Sequence, residues 1–198
     1  VKIVLMKKLL IIMILTLLFN GNVYANKISL IDIKIGDKMN DHFSNKQISK
    51  YYVENPSGTP SGERIMGKDL TYSFIALESK EGVFNKDYDF YQIYYENDTK
   101  KIVSISGTDK TTDLDVCLKK RNDKVLKYKS KNRITTLFNR DDSTDTFSDG
   151  VKTDNVTFHG PTKIFAFACY EWSSDDIEYS FTIYETKYND FVYEKMNK

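Results

Sequence analysis

The chain has 198 residues, with 29 Lys+Arg against 28 Asp+Glu, two cysteines and two histidines. Near-neutrality excludes the basic stripe of a dedicated nucleic-acid binder, and 40% hydrophobic with 14% aromatic residues exclude a disordered chain. Two cysteines are too few for a disulfide-dense miniature scaffold or a four-cysteine zinc site, and the length fits one domain.

Lys2, Lys7 and Lys8 precede an apolar run from Leu9 to Phe19, broken only by Thr16, and Val23-Tyr24-Ala25 supplies small residues at the −3 and −1 positions before Asn26. This pattern reads as a secretory signal peptide over 1–25, ahead of a single domain over 26–198. The run is too short to span a bilayer as a helix, which takes about 20 residues. No cysteine follows it to carry a lipid anchor. Cleavage after Ala25 would leave 26 basic and 28 acidic residues, so the basic excess belongs to the leader. The expected location is exported, periplasmic or extracellular.

Ile31–Ile35 alternates apolar and polar residues before Gly36-Asp37, and Lys38–Tyr52 carries helical periodicity interrupted near Ser44. Residues 55–62 are a Pro/Gly/Ser loop. Strands are expected over Leu70–Glu78, Tyr88–Glu96 and Lys101–Gly107, the last two joined by a turn at Asn97–Lys100. The middle strand is apolar on both faces, which places it inside its sheet or under cover on both sides. Asp113 can cap a helix running to about Ser130, with Leu114, Cys117, Leu118, Val125 and Tyr128 on one stripe. A short strand at Ile134–Phe138 and a polar loop from Asp141 to Asp154 follow. Lys163–Trp172 and Ile177–Thr186 form a hairpin across Ser173–Asp176, and Tyr188–Met196 closes the chain as a helix. The expected fold is α+β, an antiparallel sheet of about five strands with helices packed on one face.

The stretch Ile33-Lys34-Ile35-Gly36-Asp37-Lys38-Met39, leading into a helix and a three-stranded meander, resembles the exported α-α-β-β-β modules of outer-membrane assembly lipoproteins and β-lactamase-inhibitor proteins. The resemblance covers residues 31–107. It implies a domain that binds other proteins and has no active site. The chain lacks the lipid-anchor cysteine, and its second half has no counterpart in a single module.

Cys117 lies on the apolar stripe of the middle helix, and Cys169 shares a strand face with Phe165 and Phe167. Both thiols are expected to face the core, and in an exported chain the favoured reading is one disulfide between them. Two separate buried thiols, or a reactive thiol paired with His159, are the alternatives. Tyr170 and Trp172 alternate onto the face opposite Cys169, where they offer an aromatic binding surface for a protein or glycan.

Other patterns carry less. Gly62–Lys68 has phosphate-loop spacing, but Asp69 stands where Ser or Thr must hold magnesium, and the flanking loop and strand are in the wrong order. Asp141, Asp142, Asp145 and Asp149-Gly150 form an acidic stretch in which Phe147 and Val156 occupy calcium-ligand positions. His42 and His159 have no second ligand at metal spacing, and Asp175-Asp176 fall in a turn. No serine elbow and no cofactor motif are present. The sequence therefore predicts no catalytic residues, metal or cofactor. It points to a non-catalytic interaction module of the cell envelope, with a small-molecule or glycan binder and a thiol- or carboxylate-dependent hydrolase as alternatives.

Overall fold

The computed structural model describes residues 27–53, 71–147 and 150–196. The expected signal peptide over 1–25, the Pro/Gly/Ser loop and the phosphate-loop-like stretch lie outside them. The interruption near Ser44 separates two short helices, α1 (Met39–His42) and α2 (Asn45–Tyr51). Ser44 caps the second: its Oγ accepts from the Gln47 N–H at 3.3 Å, while Gln47 Oε1 accepts from the Ser44 N–H at 2.9 Å. That reciprocal pair satisfies donors that helix geometry leaves free.

The strands form one antiparallel sheet of seven rather than five. They are β1 (Tyr72–Glu78), β2 (Phe90–Glu96), β3 (Ile102–Thr111), β4 (Asn139–Thr146), β5 (Lys152–His159), β6 (Lys163–Ser173) and β7 (Asp176–Glu185), in the spatial order β1-β2-β3-β7-β6-β5-β4. Two local meanders thus meet at a central seam between β3 and β7. Between β3 and β4 the chain crosses the sheet as α3 (Leu114–Ser130), and it ends in α4 (Thr186–Met196).

Two strands were not expected. The polar stretch from Asp141 to Asp154 is the hairpin β4–β5, in register from Asn139↔His159 to Thr146↔Lys152. Pairing with β5 satisfies alternate backbone groups of β4, and β4 buries no side chain, so no apolar period marks it. Ile134–Phe138, expected as a strand, is instead a turn in which the Phe138 N–H donates to Thr135 O at 3.1 Å. Ile134 and Phe138 close a corner of the core, with Phe138 edge-on to Phe165 at 5.4 Å, while Leu137 is exposed.

The helices occupy both faces of the sheet, not one. The inner face carries Ile75, Tyr91, Ile93, Ile105, Phe158, Phe165, Phe167, Tyr179 and Phe181, and it is covered by α3 and the segment 28–51. On the outer face Tyr188 and Phe191 of α4 meet Tyr72 edge-on at 4.9 and 5.0 Å, beside Val103 and Tyr94. This second, smaller core explains why β2 is apolar on both sides.

Gly107 does not end β3 as expected; the strand continues to Thr111. The glycine provides clearance: a Cβ there would lie 2.7 Å from the ring of Tyr88, which lies over it. Tyr88 in turn stacks with Tyr179 at 6.0 Å and Phe181 at 6.2 Å.

The stripe of α3 that enters the core is Cys117, Arg121, Val125 and Tyr128. Leu114 is 37% exposed, whereas Arg121 is only 8% exposed. Its guanidinium pairs with the Asp154 carboxylate and donates to Asp154 O at 3.2 Å. Asp113 caps the helix as expected, accepting from Asp115 N–H at 2.8 Å and Val116 N–H at 3.2 Å. Cys117 and Cys169 are bonded, with Cα atoms 6.0 Å apart. Asp154 stands directly opposite Cys169 on β5, so the disulfide and the Arg121 ion pair fasten α3 to adjacent strands.

Two outcomes are expected from this core. The disulfide closes a separation of 52 residues, which chain entropy values at about 4 kcal/mol. Reduction, or a Cys117→Ser/Cys169→Ser double substitution, should lower the melting midpoint by roughly 10 °C; an unchanged midpoint would refute the clamp. Burial also raises the phenols of Tyr88, Tyr128, Tyr179 and Tyr188, and pushes Tyr94 up to about 12 from 10.0. A raised folded-state pKa stabilises below the unfolded value and loses that contribution as pH rises. Stability should therefore fall above about pH 10, the ordinary phenol value, with phenolate absorbance and loss of circular dichroism appearing together. Full tyrosine ionisation in a still-folded protein would contradict this.

Candidate functional site

Strand alternation places Tyr170 on the outer face, opposite the face that holds Cys169. A register shift between Glu171 and Ser173 then lets Trp172 stand beside it. Their rings stack with centroids 6.2 Å apart at an interplanar angle of 25°. Trp172 is 52% exposed. α4 covers the Tyr72–Tyr94–Val103 end of this face, whereas the aromatic pair sits at the end of β6 next to the β6–β7 turn.

A row of cross-strand neighbours runs through this pair. Lys110 on β3 faces Glu178 on β7, Glu178 faces Tyr170 on β6, and Tyr170 faces Thr153 on β5. Burial raises the Glu178 carboxyl against the pull of Lys110, and Asp176 raises it further. Lys110 Nζ lies 3.2 Å from Asp176 Oδ1 in the β6–β7 turn. Burial, then the Glu178 charge, raises the Tyr170 phenol. Glu178, Lys110, Phe90, Thr108 and Glu78 also line an open depression of about 530 Å³ along the same sheet end. The arrangement offers a stacked aromatic platform with an acid and an amine beside it.

The other sequence candidates separate. His159 faces the outer side of β5, while Cys169 is bonded on the inner side, so no thiol–imidazole pair exists. His42 Nε2 lies 2.8 Å from Asp37 Oδ2, which also accepts from the Lys34 N–H at 2.9 Å. Burial raises the Asp37 carboxyl, but the His42 hydrogen bond and the Lys34 amide outweigh it and leave it below the usual value. The neighbouring hollow of about 450 Å³ is lined by residues such as Lys46, Lys50, Tyr51 and Glu81, with no serine, threonine or cysteine among its described lining. Asp141 and Asp142 point to opposite faces of β4, so the acidic stretch does not converge. Asp149 lies outside the described residues. Among the described residues no three acidic, histidine or cysteine side chains are placed to hold a metal.

Sequence reasoning missed a buried polar group under α3. The Asp109 carboxylate pairs with Lys120 and accepts from the Asp89 N–H at 2.7 Å. Burial raises the Asp109 carboxyl and lowers the Lys124 amine, which sits 4.4 Å above the Tyr88 ring. An aspartate within a strand of otherwise small and apolar residues was the available signal. The Lys120–Asp109 ion pair fastens α3 to β3.

Compared with known proteins, the chain matches no family profile, no curated sequence and no solved structure. Among the described residues, no helix is long and apolar enough to cross a membrane.

Proposed function

We propose that the chain is an exported, non-catalytic interaction module of the cell envelope that holds a partner protein through the outer face of its sheet. The observation that carries this reading is the stacked Tyr170–Trp172 pair, with Trp172 more than half exposed on the outer face of the sheet. Large rigid aromatics give contact area at little entropic cost and are enriched at protein interfaces. The depressions on the surface are open, whereas small-molecule sites bury most of their ligand. Export is supported by the leader pattern of residues 1–25 and by the buried disulfide, which persists in oxidising compartments.

A glycan reading rests on the same pair, because a sugar ring stacks on an aromatic face while Glu178 and Lys110 supply hydrogen bonds beside it. The protein reading is preferred because Trp172 is 52% exposed and the depression beside the pair is open. The alternative of a thiol- or carboxylate-dependent hydrolase has the Asp37–His42 contact and the Glu81 carboxylate beside it, but Glu81 is held by Lys50 and Tyr51 and both cysteines are bonded to each other.

Two measurements test the proposal. The mass of the protein recovered from the envelope or medium should correspond to a chain beginning at Asn26; a full-length cytoplasmic product would refute export. Capture from envelope extract should retain a specific partner on the wild type. Trp172→Ala with Tyr170→Ala should lose at least about tenfold of it, as expected for an anchor worth more than 1.4 kcal/mol. Undiminished capture by the double variant would sink the aromatic surface.

A further inference from the structure

The seven strands end, at one side, in an edge that the described chain leaves open. At the other side β1 is met by the segment after α2: Tyr52 bridges Ile75, and the Val53 N–H donates to Phe74 O at 3.2 Å. β4 is the last strand of the order, and among the described residues nothing pairs with its outer side. It is also the strand with no buried residue, so packing plays little part in holding its eight residues extended.

The register shows which backbone groups face outward. The Phe147 N–H donates to Val151 O at 2.9 Å at the hairpin turn, just beyond the Thr146↔Lys152 pair. Hydrogen bonding alternates along an antiparallel pair. Asn139, Asp141, Ser143 and Asp145 therefore bond to β5, while the N–H and C=O groups of Arg140, Asp142, Thr144 and Thr146 point away from the sheet. The Gly160 N–H to Lys163 O bond, 3.0 Å, sets the complementary alternation on the far side of β5.

Exposed edges invite pairing, and proteins commonly block them with proline, a bulge or lysine. β4 contains no proline and no lysine, and its register with β5 is continuous. What it has instead is acid. Arg140 holds Asp142 through two contacts of 2.7 Å. Asp141 and Asp145 share the outer face, and among the described residues no cation lies within ion-pair distance of either. A second copy pairing on this edge would bring like charges together, which disfavours self-association. A basic strand would be drawn in.

We propose that β4 is a docking edge on which an extended Lys- or Arg-bearing segment of a partner protein adds as an eighth strand. Main-chain bonds to residues 140, 142, 144 and 146 supply the attachment, and Asp141 and Asp145 select a basic sequence. Asp145 faces Thr153, which faces Tyr170, so the edge is continuous with the aromatic row. The inference deepens the interaction reading above, but it is read from a different surface.

The test uses the whole mature chain and a ten-residue peptide alternating lysine with valine, against its glutamate–valine counterpart. The lysine peptide should bind and weaken with added salt. Amide exchange at Arg140, Asp142, Thr144 and Thr146 should slow at least about tenfold in the complex, with Asp141, Ser143 and Asp145 unchanged. Thr144→Pro removes one outward donor and no β4–β5 bond, a substitution edge strands tolerate. It should weaken binding about tenfold at an unchanged melting midpoint. Asp141→Asn with Asp145→Asn should flatten the salt dependence. No binding, equal binding of the glutamate peptide, exchange without the alternation, or a dimer closed through β4 would each overturn the proposal. Such a failure leaves the Tyr170–Trp172 reading standing, since that is scored by capture of the envelope partner.

Discussion

Two meanders, each able to form from neighbouring strands, are held in one sheet by what happens between them. The chain leaves β3 at the centre, crosses the sheet without strand pairing, and reaches β4 at the far edge. α3 makes that passage, and the Cys117–Cys169 bond fastens it to β6. Around the bond, Arg121 reaches Asp154 on β5, Lys120 reaches Asp109 on β3, and Tyr128 packs on Phe165, Phe167 and Phe181. The helix is thus tied covalently, electrostatically and by ring packing to strands from both meanders. Without that attachment, the halves would be joined by β3–β7 pairing, by Tyr88 against Tyr179 and Phe181, and by α4 against Tyr72.

This fastening also decides which surface is free. With α3 and the segment 28–51 on the inner face, the aromatic cluster there is consumed by the core. α4 takes one end of the outer face through Tyr188 and Phe191. The aromatic pair at the opposite end is left without a described element above it, beside the charged row of Glu178 and Lys110. The same logic applies to the edges: the chain supplies its own cover to β1 through Tyr52 and Val53 and none to β4.

Much of this was legible in the residues. Alternation along β6 separates Cys169 from Tyr170 and Trp172 without any tertiary knowledge, and the Ser44–Gln47 capping pair marks the break between α1 and α2. Asp113 announces α3. The β4–β5 hairpin was not legible, because a strand pairing that buries no side chain in one partner leaves no hydrophobic period. Gly107 looked like a terminator because glycine more often breaks a strand than makes room for a ring placed above it. Arg121 was hidden because a charged residue on an apolar stripe reads as an interruption, and its partner Asp154 lies 33 positions away. The position of α4 depends on which side the chain turns after β7, which local pattern does not encode. The candidate aromatic surface was half legible: its rings were visible, but the carboxylate and amine beside them come from strands distant in sequence.

The central seam has a further consequence for how the molecule assembles. Its outermost pair, Thr111↔Ile177, joins residues 66 positions apart, whereas every other strand pair closes across a short connection. The disulfide lies inside that interval. Once Cys117 and Cys169 are joined, the path from Thr111 to Ile177 shortens to about fourteen residues, and by loop-closure entropy the seam becomes easier to zip by about 1.4 kcal/mol. A contact of long sequence range is thereby made a near-neighbour one, and long-range pairings are the slow ones in sheet proteins. The bond that secures the finished fold thus also shortens, once formed, the loop across which its two halves meet.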